Sequence, residues 1–395
     1  LILLESGKFC EVELHPFSID SHLVYSKCVI WSIRSLHNMD HSLCIDIHLT
    51  FIIPSFFSTP SLRASSLATS TKPWNRSPPS VSLSTLHMSS SSSSSSPPIF
   101  GKLITAMVTP FKPDGSCVDY VVAEQLAAHL AQNGSDSLII GGTTGESPTL
   151  TWAEQYELFN VCKDAVGSKC KIIAGAGSNS TEEAIEATHR AAKLKLDGTL
   201  QVVPYYNKPP QEGLYQHFKK IAECEPDLPV MLYNIPGRCG INMNAETTVR
   251  LAKDVENIVA TKEAAGDFEQ FVEVRRFTPR DSFHMYAGDD SLTLPLLALG
   301  GTGVVSVASH FIGNELEKMI ELYESGDVKA AMEIHFKYSH LFRDLFRMPN
   351  PIPAKAALRM LGWSVGPCRL PLTDPTPELD EMLTQLLRNL NLLQK

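Results

Sequence analysis

The sequence predicts an α/β fold, a (β/α)₈ TIM barrel with extra C-terminal helices. Three observations carry that expectation. Eight short apolar, β-rich runs follow one another after residue 100, amphipathic helical patterns separate most of them, and the alternation fits in about 210 residues. Runs that are nearly continuous in apolar residues suit parallel strands buried on both faces. An open doubly wound sheet is the competing arrangement of the same pattern.

The strands are expected at 103–110, 137–142, 171–177, 198–204, 229–236, 258–264, 283–290 and 303–309. Helical patterns fall at 124–130, 152–166, 181–196, 213–224, 245–253 and 267–276. The third of these shows the reasoning. Ala184, Ala187, Thr188, Ala191, Ala192 and Lys195 keep a 3.6-residue period, and Ser180 or Thr181 can cap the start with Glu182 or Glu183 in the first turn. After the eighth strand, further helices are expected at 315–324, 328–345, 354–361 and 377–393. The domain reading is therefore a leader over 1–99, a catalytic barrel over 100–312 and a helical region over 313–395.

Composition divides the chain near residue 99. No Asp or Glu occurs between Ile47 and Pro113, and 18 serines stand between Phe51 and Phe100, ending in the run 89–96. Serine-rich, acid-poor, weakly basic leaders read as organelle transit peptides, which implies a plastid; a plain disordered tail is the alternative. Leu1 opens the chain, so residues 1–38 read as upstream translated sequence, with Met39 and Met88 as candidate starts. The 395 residues are 43% hydrophobic and 19% charged, enough to bury a large core. No apolar run reaches the roughly 18 residues of a membrane span. A formal charge of −9 disfavours nonspecific nucleic-acid binding. Nine cysteines without a CxxC pair or zinc spacing suit a reduced compartment.

Barrel active sites lie at the C-terminal ends of the strands, so the polar residues there are the candidates. The second strand ends in GGTTGES (141–147), a glycine-rich turn feeding a helix, whose N–H groups can hold a carboxylate or phosphate or simply make a tight turn. The fourth ends in Tyr205-Tyr206-Asn207 and the fifth in Tyr233-Asn234, followed by Arg238. Two phenols on adjacent strands and a Thr hydroxyl can pass a proton between them. The sixth carries Ala260-Thr261-Lys262-Glu263. If Ala260 and Lys262 face the barrel interior, Thr261 faces the helices. Desolvation then lowers the lysine pKa and makes its amine a nucleophile; a rim Lys262 paired with Glu263 is the alternative. The seventh ends in Gly288-Asp289-Asp290, where glycine lets a ligand approach the backbone. The paired aspartates lack His partners at ligand spacing, so no metal is expected.

Together these stretches resemble the dihydrodipicolinate synthase / N-acetylneuraminate lyase family of class I pyruvate-dependent aldolase barrels. The matching motifs are GGTTGES (141–147), VVPYYNKPPQEGLYQHF (202–218), LYNIPGR (232–238), TKEAAGD (261–267), AGDD (287–290) and GVVSV (303–307). The wording is closer to the bacterial and cyanobacterial form than to the usual land-plant form. The resemblance implies that Lys262 forms an imine with pyruvate, and that the derived enamine attacks L-aspartate 4-semialdehyde. It implies that Tyr233 relays protons with Thr143 and with Tyr206 from a neighbouring subunit, and that Thr143 and Thr144 hold the pyruvate carboxylate. Gly288 and Val305 would contribute backbone groups. No cofactor beyond the covalent imine is implied, and the expected assembly is a homotetramer of tight dimers. Arg238 suits a second carboxylate and separates the synthase branch from the sialic acid lyases. Cys239 and the wording TKEAAG depart from the usual Thr and IKEATG.

The resemblance also places an inhibitory L-lysine site at Ser147, Trp152, Gln155, Asn179, Glu183 and Tyr205. Glu183 can pair with an α-amino group and Trp152 can wall an aliphatic stem; capping and core packing are the ordinary alternatives. Two other functions compete. One is a lyase or aldolase of the same family acting on another 2-keto acid, and the other is a non-catalytic barrel that binds.

Overall fold

Side-chain alternation decides what each strand residue meets. In this computed structural model, which describes residues 97–393 and the backbone of 2–5 and 8–11, two separate apolar cores express that alternation. On β2 (Ser137–Ile140), Leu138 and Ile140 belong to one cluster and Ile139 to the other. On β3 (Lys171–Gly175), Ile172 and Ala174 pair off against Ile173 in the same way. The smaller cluster takes residues from every strand, so it is the barrel interior; the larger one joins the strands' outer faces to the helices.

The remaining strands are β1 (Leu103–Ala106), β4 (Gly198–Val202), β5 (Val230–Asn234), β6 (Ile258–Glu263), β7 (His284–Ala287) and β8 (Gly303–Ser306). They pair in parallel, in chain order, and β8 closes on β1 through Val304↔Leu103, Val305↔Ile104 and Ser306↔Thr105. Closure removes the open-sheet alternative. Phe100, fully buried, belongs to the inner cluster, and the Tyr286 hydroxyl donates to the Gly101 carbonyl at 2.7 Å. A Cβ on Gly198 would lie 2.6 Å from the Phe100 ring, so glycine is required where β4 passes it. All eight strands fall within the predicted runs but stop one to four residues short of their ends. For three of them the reason is local: the run ends carry Pro110, Pro204 and Pro236, which cannot donate to a ladder.

One irregularity matters for function. Val230 pairs with Ile258 but Met231 pairs with Ala260, so Val259 is an extra residue on β6. Ile258 lies in the outer cluster and Ala260 in the inner one, although both numbers are even. The bulge therefore shifts the parity of the rest of β6. Lys262 stands opposite Tyr233 of β5 and Tyr286 of β7, both interior residues.

Helices follow the strands: α1 (Tyr120–Gln132), α2 (Trp152–Val166), α3 (Thr181–Lys193), α4 (Gln211–Glu223), α5 (Ala245–Asp254), α6 (Phe268–Phe277), α7 (Thr293–Ala298) and α8 (Ser309–Glu324). Ser180 caps α3, and Thr151 with Glu154 forms a capping box on α2. The six-residue α7 and the single turn Pro236–Cys239 were not predicted, being too short to show a period. The C-terminal helices are α9 (Val328–Asp344), which packs into the outer cluster, and α10 (Ile352–Met360) and α11 (Pro377–Asn389), which share a small core of Ile352, Ala356, Leu379 and Leu383.

The chain divides into units Leu1–His87 and Met88–Lys395. Within the span read as leader, Ile2–Glu5 pairs antiparallel with Lys8–Glu11. The rest of that reading, residues 12–96 with the serine run, lies outside the described residues.

Phe100 tests where the barrel begins. Phe100→Ala should lower unfolding stability by about 3–5 kcal/mol through the cavity it leaves. Urea denaturation of the two proteins gives the difference, and an unchanged midpoint would place Phe100 outside the core.

Candidate active site

Lys262 is 6% exposed, and its ammonium nitrogen lies 4.2 Å from the centroid of the Tyr233 ring. Among the described residues no carboxylate stands within ion-pair distance of it. The rim pair with Glu263 does not form, because the two side chains leave β6 on opposite faces. Glu263 is buried on the outer face, where it accepts from Asn234 Nδ2 at 3.1 and 3.2 Å, from the Ala265 N–H at 2.8 Å and from Gln270 Nε2 at 3.3 Å. Burial pulls the Lys262 pKa down to about 8; Asp289 and Asp290 oppose the fall and Arg238 adds to it. The amine is thereby held in the range where a lysine is nucleophilic near neutral pH.

Tyr233, on the neighbouring strand, is 4% exposed, and burial pushes its phenol up; Arg238 opposes that rise, as does the Thr143 hydroxyl that reaches it. Thr144, buried next to Thr143, accepts from Asn350 Nδ2 at 2.8 Å. The carbonyl of the same Asn350 accepts from Arg238 Nη2 at 3.4 Å. Arg238 stands exposed on the turn Pro236–Cys239, and that long contact is the one hydrogen bond of its side chain among the described residues. Lys262, Tyr233, Thr143, Thr144 and Arg238 thus gather at the C-terminal ends of β2, β5 and β6, with Asn350 bridging Thr144 and Arg238. Val305 joins them from β8 as an interior residue.

One local reading needs correction. The turn after β2 does not open a helix N-terminus. It runs into the single 3₁₀ turn Ser147–Thr149, and α2 starts later on its own cap. The loop's N–H groups are partly spent inside it, Glu146 donating to the Thr143 carbonyl and Ser147 to that of Gly142. Gly288 is also required by Ala264, whose Cβ would lie 2.5 Å from one built on Gly288. Asp290 is consumed structurally: it accepts from the Ser306 hydroxyl and from the N–H groups of Val307 and Ala308 at 3.1 and 3.0 Å. Asp289 keeps its carboxylate near both Lys262 and Arg238; burial raises its pKa against their pull.

The fold does not bring Tyr206 to Tyr233 within one chain. Tyr206 is 89% exposed beyond the end of β4, with φ +73°. Of the six residues of the expected lysine site, two pairs are joined by hydrogen bonds, Gln155 with Ser147 and Asn179 with Tyr205. Gln155 Nε2 donates to the Ser147 carbonyl at 3.4 Å, and Trp152 stacks on Tyr156 at 5.8 Å. Asn179 Nδ2 donates to the Tyr205 carbonyl at 3.2 Å, and Ser178 Oγ donates to Glu183 at 2.7 Å. The buried Gln155 Oε1 has no partner among the described residues. Of the two departures from the usual wording, Cys239 is buried, its thiol pushed up to about 11 by that burial, and the Thr261 hydroxyl is buried and unpartnered on the outer face.

Sequence reasoning missed Asn350, and with it the buried Lys355 and Arg369, because all three come from the C-terminal region and no strand-end pattern marks them.

Comparison with known proteins agrees with this geometry. The model of the dihydrodipicolinate synthetase family matches residues 99–390. The 4-hydroxy-tetrahydrodipicolinate synthases of Nostoc sp. and Cyanothece sp. are 56% and 58% identical over 294 residues, 74% of this chain and 99% of theirs. The crystal structure of the Cyanidioschyzon merolae enzyme with lysine bound is 64% identical, covers 75% of this chain and 100% of that one, and superposes with a TM-score of 0.74. With its closed barrel, an interior lysine on the sixth strand, a family match over residues 99–390 and these relatives, the chain belongs to the dihydrodipicolinate synthetase family.

Proposed function

We propose that the chain condenses pyruvate with L-aspartate 4-semialdehyde through an imine on Lys262, forming 4-hydroxy-tetrahydrodipicolinate. The observation that carries the reading is a buried, unpaired lysine at the mouth of the barrel, pressed against a tyrosine. Its neutral amine adds to the pyruvate ketone, and loss of water leaves the iminium. The iminium withdraws electrons, so a methyl proton is lost and an enamine forms. The enamine carbon attacks the aldehyde, the aldehyde substrate's own amine attacks the imine carbon, and Lys262 leaves. Tyr233, kept protonated by burial and touched by Thr143, is placed to give and take the protons at these steps. Thr143 and Thr144 suit the pyruvate carboxylate. Tyr206 would join the site of a second copy in a homotetramer, and a sedimentation mass of one chain would remove it from the scheme.

Borohydride should trap pyruvate on Lys262, and Lys262→Ala should lose the adduct and at least roughly 10³-fold in kcat. With a pKa of about 8, roughly a tenth of the amine is neutral at pH 7, against about one part in several thousand for an ordinary lysine. The neutral form grows with pH, so the trapping rate should climb through pH 8 and then level off. Asp289→Asn removes a charge that favours the ammonium and should move that limb to lower pH. A limb near pH 10 would contradict the reading.

Arg238 keeps most of its donors free for the second substrate's carboxylate. Arg238→Ala should cost roughly 1.5–3 kcal/mol in kcat/KM for aspartate semialdehyde, with imine trapping preserved. Loss of trapping would reassign the residue.

The lysine-bound relative supports regulation at the matching residues of this chain. Initial rates against L-lysine at fixed pyruvate should fall in the parent and less in Glu183→Ala. Equal inhibition of the two would place the site elsewhere.

A further inference from the structure

Glu146 shares a loop with Thr143 and Thr144, yet the catalytic scheme does not use it. Its backbone adopts φ +57°, a left-handed conformation that strains any residue with a Cβ. Its N–H donates to the Thr143 carbonyl at 3.1 Å, and its own carbonyl accepts from the Thr149 N–H and hydroxyl, each at 3.0 Å. This one residue therefore sets the turn that leads out of the threonine pair.

Its side chain is fully buried, and both carboxylate oxygens are held from the C-terminal region. Oε1 accepts from Lys355 Nζ at 2.9 Å and Oε2 from the Arg369 N–H at 2.8 Å. Lys355, itself fully buried on α10, gives its other protons to the carbonyls of Thr109 at 3.0 Å and Pro367 at 2.7 Å. An ammonium has three donors, and here each has an acceptor. At the head of the same helix Asn350 holds the Thr144 hydroxyl. A buried ion pair is a poor source of net stability, since desolvation offsets most of its attraction.

We propose that Glu146 and Lys355 are positioning residues, through which the C-terminal region clamps a strained turn and presents Thr143 and Thr144 to the pyruvate carboxylate. The proposal rests on the imine reading of the site. A loop fixed in advance need not be ordered on binding, and small misplacements of such groups are costly to rate.

Removing one charge alone would strand the other in the core, so the test removes both. Glu146→Gln/Lys355→Met keeps side-chain volume, and Glu146→Gly/Lys355→Met also relieves the backbone strain. Melting temperature reports folding, borohydride trapping at saturating pyruvate reports Lys262, and steady-state kinetics report the loop. Both variants should fold and still trap pyruvate. Their kcat/KM for pyruvate should fall by roughly a hundredfold, mostly through KM, with the KM for aspartate semialdehyde little changed. Folded variants with the parental KM for pyruvate would overturn the clamp. So would failure of both variants to fold, since the pair would then hold the fold rather than the loop. A parent that traps no pyruvate would overturn the imine reading and the clamp with it.

Discussion

The site depends on a lysine held inside a barrel with no ion-pair partner among the described residues. Placing it there takes an extra residue. Val259 bulges from β6, and the parity of every later residue on that strand changes. Without the bulge, Lys262 would stand opposite Asn234 and face the helices. With it, Lys262 stands between Tyr233 and Tyr286 in the interior, and Glu263 takes the outer position, where Asn234, Ala265 and Gln270 satisfy it. Alternation keeps the amine and its neighbouring carboxylate on opposite faces, and the bulge decides that the amine is the one that faces the interior.

The electrostatic setting follows from that placement. Desolvation pushes the ammonium toward its neutral form, and the partly buried Asp289 limits the fall. A fully apolar pocket would lower the pKa further and leave nothing to stabilise the protonated imine. A close ion pair would raise it and quench the nucleophile. The arrangement lies between these extremes, where an amine serves an imine mechanism near neutral pH.

The helices beyond the barrel are part of this site. Asn350 bridges Thr144 and Arg238, Lys355 grips Glu146, and the Arg369 guanidinium forks onto Glu154 of α2 at 2.6 and 3.0 Å. Barrel loops are otherwise tethered only at their two ends, and here a third tether comes from more than 200 residues away in sequence.

The sequence alone determined the eight strands, the helices long enough to show a period, and the residues at the strand ends, because periodicity and strand-end chemistry are local. Lys262, Tyr233, Thr143, Thr144 and Arg238 were legible for that reason, with the family motifs supplying their roles. Alternation within β6 paired Ala260 with Lys262 correctly, but could not show that Ile258 lies on the other face, since a bulge is visible only against the neighbouring strand. Nor could it show that Glu263 is spent on Asn234 or that Tyr206 points away from its own barrel. The contributions of Asn350, Lys355 and Arg369 were invisible for a related physical reason. A buried charge or amide is tolerable only where distant backbone and side-chain groups satisfy it, and tertiary structure alone brings those groups together.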